Sequence, residues 1–305
     1  MKSVLLFPGQ GSQSVGMMNG FDSSLVKEVF DMGSDIFGED LFDLITSDND
    51  KINQTIYTQP IMFLSGYATY LLLKEKKSSL QVDYVAGHSL GEITAACVAG
   101  VFSIDTAIQI VQKRAQLMQN AVRAGEGAMA AILGLEDTVV EEICKTLQST
   151  GVIEPVNYNS PGQIVVAGEK KLIEQSLEKF KDSGAKRALL LPVSVPSHCS
   201  LMRSAAEDFR NCLNDFQFND ADIPVVQNVN ATDMVDKNLI KENLVAQLFN
   251  PVKWTASIQY LEKQGVNHFI ESGPGKVLWG LNRRITKSED IKHFTINSDE
   301  AFNEL

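Results

Sequence analysis

Short apolar runs alternate with longer amphipathic stretches along the first part of the chain. Residues 3–7 and 83–86 are predicted as buried strands, and the apolar run 90–98 as the helix that follows the second strand. Residues 61–73 predict another helix, with Pro60 in its first turn. The spacing of apolar residues over 103–122 predicts a further long helix. This alternation is typical of an α/β fold with a parallel sheet.

The pattern changes after residue 126. Two helices are predicted there, over 137–149 and 170–183, among four strands over 128–134, 152–158, 163–167 and 186–193. The order β-α-β-β-α-β within about seventy residues is typical of a ferredoxin-like arrangement. Residues 126–194 are therefore predicted as a small domain inserted into a larger one.

The chain after this insert returns to alternating strands and helices. Strands are predicted at 224–228 and 267–270, and helices at 199–213, 240–248 and 276–284. Motifs on both sides of the insert look like parts of one site. Residues 1–125 and 195–305 are therefore predicted as one discontinuous α/β catalytic domain.

Composition and charge narrow the classes of protein. The net charge of −11 argues against a nucleic-acid binder, and no apolar stretch is long enough to predict a membrane span or a signal peptide. The four cysteines have no C-x-x-C spacing and read as reduced thiols, so neither a disulfide nor a metal site is expected. These features predict a cytoplasmic protein.

A Gly-x-Ser-x-Gly sequence joins the predicted strand 83–86 to the helix after it. Two interpretations of Ser89 in the stretch Gly87-His88-Ser89-Leu90-Gly91-Glu92 are open. A serine on a sharp strand-to-helix turn is typical of a catalytic nucleophile. The same residues also fit the S-x-x-E capping box, in which the serine only caps the helix and Glu92 bonds its first amides.

The loop after residues 3–7 is rich in glycine. Its sequence Pro8-Gly9-Gln10-Gly11-Ser12-Gln13 invites a phosphate-binding interpretation, but Ser14 stands where G-x-G-x-x-G needs its third glycine. The alternative is that the loop presents Gln10 at the carboxyl end of a strand, where sites in α/β proteins form.

A serine nucleophile needs a base, and the chain has four histidines. His88 is expected to point away from Ser89, His268 to pack in a strand, and His293 to lie in a polar tail. His198 remains, and at a predicted helix start its imidazole is expected to stay neutral. Arg114, beside the buried stripe of helix 103–122, needs a hydrogen-bonding partner, either a structural one or a substrate carboxylate.

Several motifs in register carry a resemblance to malonyl-CoA:acyl carrier protein transacylases over nearly the whole chain. They are Phe7-Pro8-Gly9-Gln10-Gly11-Ser12-Gln13, Thr58-Gln59-Pro60, Gly87-His88-Ser89-Leu90-Gly91-Glu92, the Arg114 position, Gly127-Ala128-Met129-Ala130-Ala131-Ile132, Asn159-Ser160-Pro161-Gly162-Gln163, Val195-Pro196-Ser197-His198, Gln247-x-x-Asn250-Pro251-Val252 and Gly273-Pro274-Gly275-Lys276-Val277-Leu278. The resemblance implies an α/β-hydrolase-like core with a ferredoxin-like insert. This chain departs from the usual pattern at Ile93, where relatives often carry an aromatic residue, and at Gln227, where they often carry asparagine.

The resemblance also implies roles for particular residues. Ser89 would be the nucleophile, His198 the base and Arg114 the clamp for the malonyl carboxylate. The backbone amides of Gln10 and Leu90 would form the oxyanion hole. The carbonyl of Gln247 would orient the imidazole. Gln59 and His88 would be supporting residues of the site, placed behind the catalytic ones.

The implied reaction is ping-pong transfer of malonyl from malonyl-CoA to acyl carrier protein for fatty acid biosynthesis, with no cofactor and a monomeric enzyme. Because carriers are acidic, docking needs a basic patch, for which the candidates are Lys186, Arg187, Arg283, Arg284 and Lys287. Two rivals use the same residues: a serine esterase or thioesterase, and a non-catalytic domain that only binds acyl carriers.

Overall fold

The computed structural model describes residues 2–193 and 195–305, which form two sheets with helices packed around them. The strands are β1 Ser3–Phe7, β2 Tyr84–Gly87, β3 Gly127–Leu133, β4 Ile153–Ser160, β5 Gln163–Glu169, β6 Arg187–Leu190, β7 Val225–Val226, β8 Asp233–Met234, β9 His268–Ser272 and β10 Lys292–Ile296. The helices are α1 Ser24–Phe37, α2 Leu41–Thr46, α3 Thr55–Lys76, α4 Leu90–Val98, α5 Ile104–Asn120, α6 Asp137–Leu147, α7 Lys170–Asp182, α8 Arg203–Leu213, α9 Lys237–Gln247, α10 Trp254–Lys263 and α11 Val277–Ile285. Short 3₁₀ turns occur at Lys51–Asn53, Gln148–Thr150, Ser200–Met202 and Glu300–Glu304.

The large sheet has the strand order β10-β9-β1-β2-β7-β8 and is parallel except for β8. Strand side chains alternate between its two faces, as the pleat requires. Leu5 and Phe7 pack against α1, α3 and α4, whereas Val4 and Leu6 pack with Trp254 and other residues of α10 and α11. Both faces of β1 are therefore buried, which explains its unbroken apolar sequence.

The small sheet is antiparallel, with the strand order β4-β5-β3-β6. In sequence its elements run β3-α6-β4-β5-α7-β6, and α6 and α7 cover one face with an apolar cluster of their own. The other face meets the large unit through a second cluster that includes Met129 and Cys199. The predicted domain boundary at Ser194 lies outside the described residues.

Backbone hydrogen bonds join β4 to the segment before α10. Tyr158 N donates to Val252 O at 3.0 Å, and Val252 N donates to Val156 O at 2.8 Å. The Thr255 hydroxyl adds a bond to Tyr158 O at 3.0 Å. These contacts hold the end of β4 beside the carboxyl edge of the large sheet.

Several predicted boundaries differ from the structure by a few residues, and two of them bear on the site. Helix α3 begins at Thr55, so Pro60 lies inside the helix and not in its first turn. Strand β4 continues through Asn159 and Ser160, so the turn between β4 and β5 is confined to residues 161–162. In both cases the element continues past the residue that was predicted as its boundary, and boundaries are the part of an element that sequence patterns predict least reliably.

Among the described residues, no helix is both long and apolar enough to cross a membrane.

Candidate active site

Ser89 lies on a strained turn between β2 and α4. Its backbone has φ 52° and ψ −108°, an unusual conformation for a non-glycine residue. The turn is so tight that a Cβ on Gly87 would lie 1.9 Å from Gly91 C and O. A Cβ on Gly91 would lie 2.0 Å from Phe7 O, so both glycines are sterically required.

The capping interpretation of this turn is wrong. The Ser89 side chain makes no capping hydrogen bond to α4. Its Oγ instead lies 2.8 Å from His198 Nε2 and 3.2 Å from Arg114 Nη2. Glu92 does not bond the first amides of the helix either, because its carboxylate turns toward Asn228 and Gln247.

His198 reaches Ser89 from the loop before the Ser200–Met202 turn, with a positive φ of 68°. Its Nδ1 lies 2.7 Å from Gln247 O. A carbonyl oxygen only accepts, so Nδ1 carries the proton and Nε2 is free to accept the Ser89 hydroxyl proton. The imidazole is 2% exposed.

The pKa of His198 is lowered to about 3, first by burial, then by the charge of Arg114 and more weakly by His88. The hydrogen bond to Gln247 opposes this shift. A neutral imidazole was expected from a helix start, and a 3₁₀ turn at Ser200–Met202 does lead into α8 after His198, but the pKa is lowered by other causes. Burial and Arg114 keep the imidazole neutral.

Arg114 is a buried cation bonded to two amide side chains. Nη1 donates to Gln59 Oε1 and Nη2 to Gln247 Oε1, each at 2.7 Å. Burial lowers its pKa to about 10, against the opposing charge of Glu92, so the guanidinium remains charged at neutral pH. Arg114 was expected at the border of the helix stripe; it is 1% exposed and points at Ser89.

Gln247, at the end of α9, joins the base to the arginine. Its backbone oxygen accepts from His198, while its side-chain oxygen accepts from Arg114. Its Nε2 donates to Ser89 O at 3.0 Å and to Glu92 Oε2 at 2.9 Å. One glutamine therefore touches all three residues proposed from the sequence for the chemistry and its clamp.

Asn228 is a site residue that the sequence analysis missed. Its Oδ1 accepts from Ser89 N at 2.8 Å, and its Nδ2 donates to Gly87 O at 2.7 Å, so it holds both sides of the serine turn. The only sequence signal was its position at the end of strand 224–228. The resemblance drew attention to its neighbour Gln227, which bonds Val225 O instead.

The other predicted residues also lie around Ser89. Gln59, on α3, holds Arg114, and Leu90 is the first residue of α4. Gln10 donates to Thr55 Oγ1 at 3.3 Å and lines the same cavity as Ser89. His88 bonds Asn159 Oδ1 at 2.8 Å with its ring against Trp254, and it lines the same cavity as Ser89. Burial lowers the pKa of His88, against its bond to Asn159.

Ser89 opens into a cavity of about 110 Å³ between the two units. The large unit contributes Gln10, Thr55, His88 and His198, and the small unit contributes Met129, Asn157 and Leu191. Leu191 and Val193 also line a neighbouring groove of about 370 Å³. The groove therefore adjoins the cavity over Ser89. Within residues 2–193 and 195–305, no group of three His, Cys, Asp or Glu side chains could hold a metal ion.

Comparisons with a family model and with known proteins indicate the same family. The family model described as "Acyl transferase domain" matches residues 4–298. The chain is similar to the malonyl CoA-acyl carrier protein transacylase of Staphylococcus aureus (strain MRSA252), with 44% identity over 303 residues, covering 98% of this chain and 96% of that protein.

Solved structures agree. An acyl-carrier-protein S-malonyltransferase from Burkholderia pseudomallei 1710b matches with a TM-score of 0.96 and 43% identity, covering 100% of this chain and 99% of that one. A second match is a type II PKS acyl-carrier protein in complex with its malonyl-transacylase, with a TM-score of 0.96 and 38% identity, covering 99% of this chain and 98% of that one. The chain therefore belongs to the acyl transferase family and, within it, to the malonyl CoA-acyl carrier protein transacylases.

Proposed function

We propose that this chain transfers a malonyl group from malonyl-CoA to the phosphopantetheine thiol of an acyl carrier protein, through a malonyl ester of Ser89. The observation that carries the proposal is the placement of Ser89 Oγ, 2.8 Å from a neutral imidazole and 3.2 Å from a buried, charged guanidinium. The first contact suits a nucleophile and its base. The second suits an acyl group that ends in a carboxylate.

In the first half-reaction Ser89 Oγ attacks the thioester carbonyl while His198 Nε2 takes its proton. The C–S bond then breaks, and the imidazolium returns the proton to the coenzyme A sulfur. In the second half-reaction the carrier thiol gives its proton to His198 and attacks the malonyl ester, and Ser89 recovers the proton. Gln247 O supports the imidazolium in both halves through the bond to Nδ1.

The backbone amides of Gln10 and Leu90 are proposed to hold the oxyanion. Support comes from the close approach of the loop after β1 to the serine turn: a Cβ on Gly9 would lie 2.4 Å from His88 O and 3.8 Å from Leu90 N. A donor of this kind is worth about 3 kcal/mol of transition-state stabilisation in serine enzymes.

The architecture is proposed to be an α/β-hydrolase-like core, residues 1–125 and 195–305, with residues 126–194 as a ferredoxin-like insert. The element order β3-α6-β4-β5-α7-β6 and the strand order β4-β5-β3-β6 support this description. In this arrangement the insert supplies one wall of the cavity over Ser89.

For the carrier, we propose docking beside a basic surface shared by the two units, and a role in fatty acid biosynthesis. Lys186, Arg187, Arg283, Arg284 and Lys287 are all exposed. Arg187 and Gln163 flank Leu133 from opposite sides, and Gln163 Oε1 accepts from Arg284 at 2.8 Å. Basic side chains of both units thus lie at one end of the small sheet, and salt is expected to weaken carrier binding.

The esterase alternative is disfavoured by Arg114, since hydrolysis of a neutral acyl ester needs no buried cation. The deciding experiment is to mix the protein with malonyl-CoA and follow its intact mass, with Ser89→Ala as the control. A malonyl adduct that persists in water but is discharged by added holo carrier supports transfer. An adduct lost to water at the same rate with and without carrier would identify a hydrolase.

A further inference from the structure

Glu92 is a fully buried carboxylate whose two oxygens have different surroundings. Oε2 accepts from Asn228 N and from Gln247 Nε2, both at 2.9 Å. Oε1 is also buried, and within the part of the chain that the structure describes it has no hydrogen-bond partner. One oxygen thus accepts two hydrogen bonds, while the other accepts none from the described residues.

The charged group facing Glu92 is Arg114. The neighbours from other elements are the amides of Gln247 on α9 and Asn228 after β7, and Gln59 on α3 reaches the cluster through Arg114. His198, on the far side of Gln247, is neutral at pH 7. When Glu92 is ionised, its negative charge balances the positive charge of Arg114.

A substrate carboxylate on Arg114 would place a second negative charge in this buried cluster. A low-dielectric interior does not tolerate an uncompensated charge, and a titratable group there changes its protonation instead. Glu92 can do so without losing a bond, because a proton on Oε1 leaves both bonds to Oε2 in place.

We propose that Glu92 takes up one proton on Oε1 from solvent when the malonyl carboxylate binds Arg114, and releases it when the acyl group leaves. This inference rests on the proposed function, in which Arg114 binds that carboxylate. Glu92 does not touch the reacting atoms; it acts as a positioning residue through Gln247 and Asn228.

The titration of Glu92 agrees with this geometry. Burial raises its pKa to about 7, against the bonds from Gln247 and Asn228 and the charge of Arg114. A substrate carboxylate would offset the charge of Arg114, and the pKa of Glu92 would then rise further. At pH 8 the free protein therefore has Glu92 mostly ionised, and the malonyl complex has it protonated.

The test measures proton uptake by the Ser89→Ala protein, in which no acyl transfer occurs. Malonyl-CoA and acetyl-CoA binding are followed by calorimetry at pH 8 in buffers of different ionisation enthalpy. On binding malonyl-CoA the protein should take up close to one proton more than on binding acetyl-CoA. Acetyl-CoA is the control because it has the same nucleotide. The affinity for malonyl-CoA relative to that for acetyl-CoA should fall up to about tenfold per pH unit above pH 7.

Glu92→Gln in the same background is the matched variant, since its amide oxygen can keep both bonds of Oε2. It should abolish the extra uptake and flatten the pH dependence. Should Glu92→Gln not fold, the Ser89→Ala protein alone still tests the inference, because equal proton uptake for the two ligands would overturn the role of Glu92.

Three adverse results have different meanings. Equal uptake for both ligands, with a preference for malonyl-CoA that Arg114→Ala removes, overturns the role of Glu92 and leaves the clamp intact. Extra uptake that persists in Glu92→Gln assigns the proton to another group, such as His198, and also overturns the role of Glu92. If Arg114→Ala does not change the preference for malonyl-CoA over acetyl-CoA, or if there is no such preference, both the carboxylate clamp and the inference about Glu92 are refuted.

Discussion

Replacing Arg114 with alanine should change which acyl group the protein accepts. The guanidinium is 1% exposed and held by two amide oxygens at 2.7 Å, with Nη2 also 3.2 Å from Ser89 Oγ. The cation therefore stands next to the nucleophile in a site from which water is largely excluded. A substrate carboxylate there would gain charge-assisted hydrogen bonds that an acetyl group cannot form.

The expected size follows from the bonds lost. Two hydrogen bonds to a charged group are worth ~1.5–3 kcal/mol each, so malonyl transfer should lose ~3–6 kcal/mol, or roughly 10²- to 10⁴-fold in kcat/KM. Acetyl transfer loses only the contact between Arg114 and Ser89 Oγ, and should fall about tenfold or less. Selectivity for malonyl over acetyl should therefore drop by at least about tenfold.

The same change also affects stability. Arg114→Ala leaves the side-chain oxygens of Gln59 and Gln247 without their donor, at about 1–3 kcal/mol each. Urea unfolding should therefore accompany every kinetic measurement, to show that the variant is folded. Arg114→Lys is the matched control, because it keeps the charge but cannot hold two amides and a carboxylate in one plane.

The assay is the rate of acylation of Ser89 by malonyl-CoA and by acetyl-CoA, read from the intact mass of each protein. Arg114→Lys should fall between wild type and Arg114→Ala for malonyl, and both variants should resemble wild type more closely for acetyl. Equal losses for the two acyl groups in a folded Arg114→Ala protein would refute the carboxylate clamp.

Three further changes test other parts of the site and the fold. Asn228→Ala removes the acceptor of Ser89 N and the donor to Gly87 O. The rate of acylation should fall, and the free energy of unfolding should drop by ~2–4 kcal/mol. An equal effect of the control Gln227→Asn would contradict this role of Asn228. Ser89→Ala should abolish transfer yet cost under about 1 kcal/mol, since no capping bond is lost; a folded variant with wild-type turnover would return the serine to a structural role. Burial raises the pKa of Glu271 to about 7 from an ordinary 4.5, so the folded state favours the protonated form of this side chain. This contribution to the free energy of unfolding is full below about pH 4.5 and is lost as pH rises through about 7. Between pH 5 and pH 8, the free energy of unfolding of Glu271→Gln, measured with urea, should rise by about 3 kcal/mol relative to that of wild type. If the two free energies change with pH in parallel, the carboxylate does not titrate in this way.

Much of the fold could be predicted because local patterns and tertiary environment agree. Strand β1 has the predicted bounds, since five buried residues in a row suit a central strand covered on both faces. Helices α4 and α5 also lie where periodicity placed them. Predictions were less accurate at the ends of elements: Pro60 lies inside α3, and β4 continues to Ser160, which pairs with Gln163 of β5.

The site divides in a similar way. Ser89 could be proposed because it lies in a Gly-x-Ser-x-Gly turn, and His198 because the chain has only four histidines. Arg114 could be proposed because it borders a buried helix stripe and because the family resemblance assigns it a role. The roles of Glu92 and Asn228 could not, because both residue types commonly cap helices and turns near their own position. Their partners lie 136 and 139 residues away along the chain.

The sequence by itself determined the tight serine turn, since only glycines fit at positions 87 and 91, and it supplied the residues that the chemistry needs. Only the tertiary structure decided that Ser89 faces His198 and Arg114 instead of capping its helix. The reason is physical: a capping box is closed within four residues, whereas this cluster joins the ends of β2, β7 and α9 with α5. Burial in that cluster, not sequence position, shifts the pKa of His198, Arg114 and Glu92.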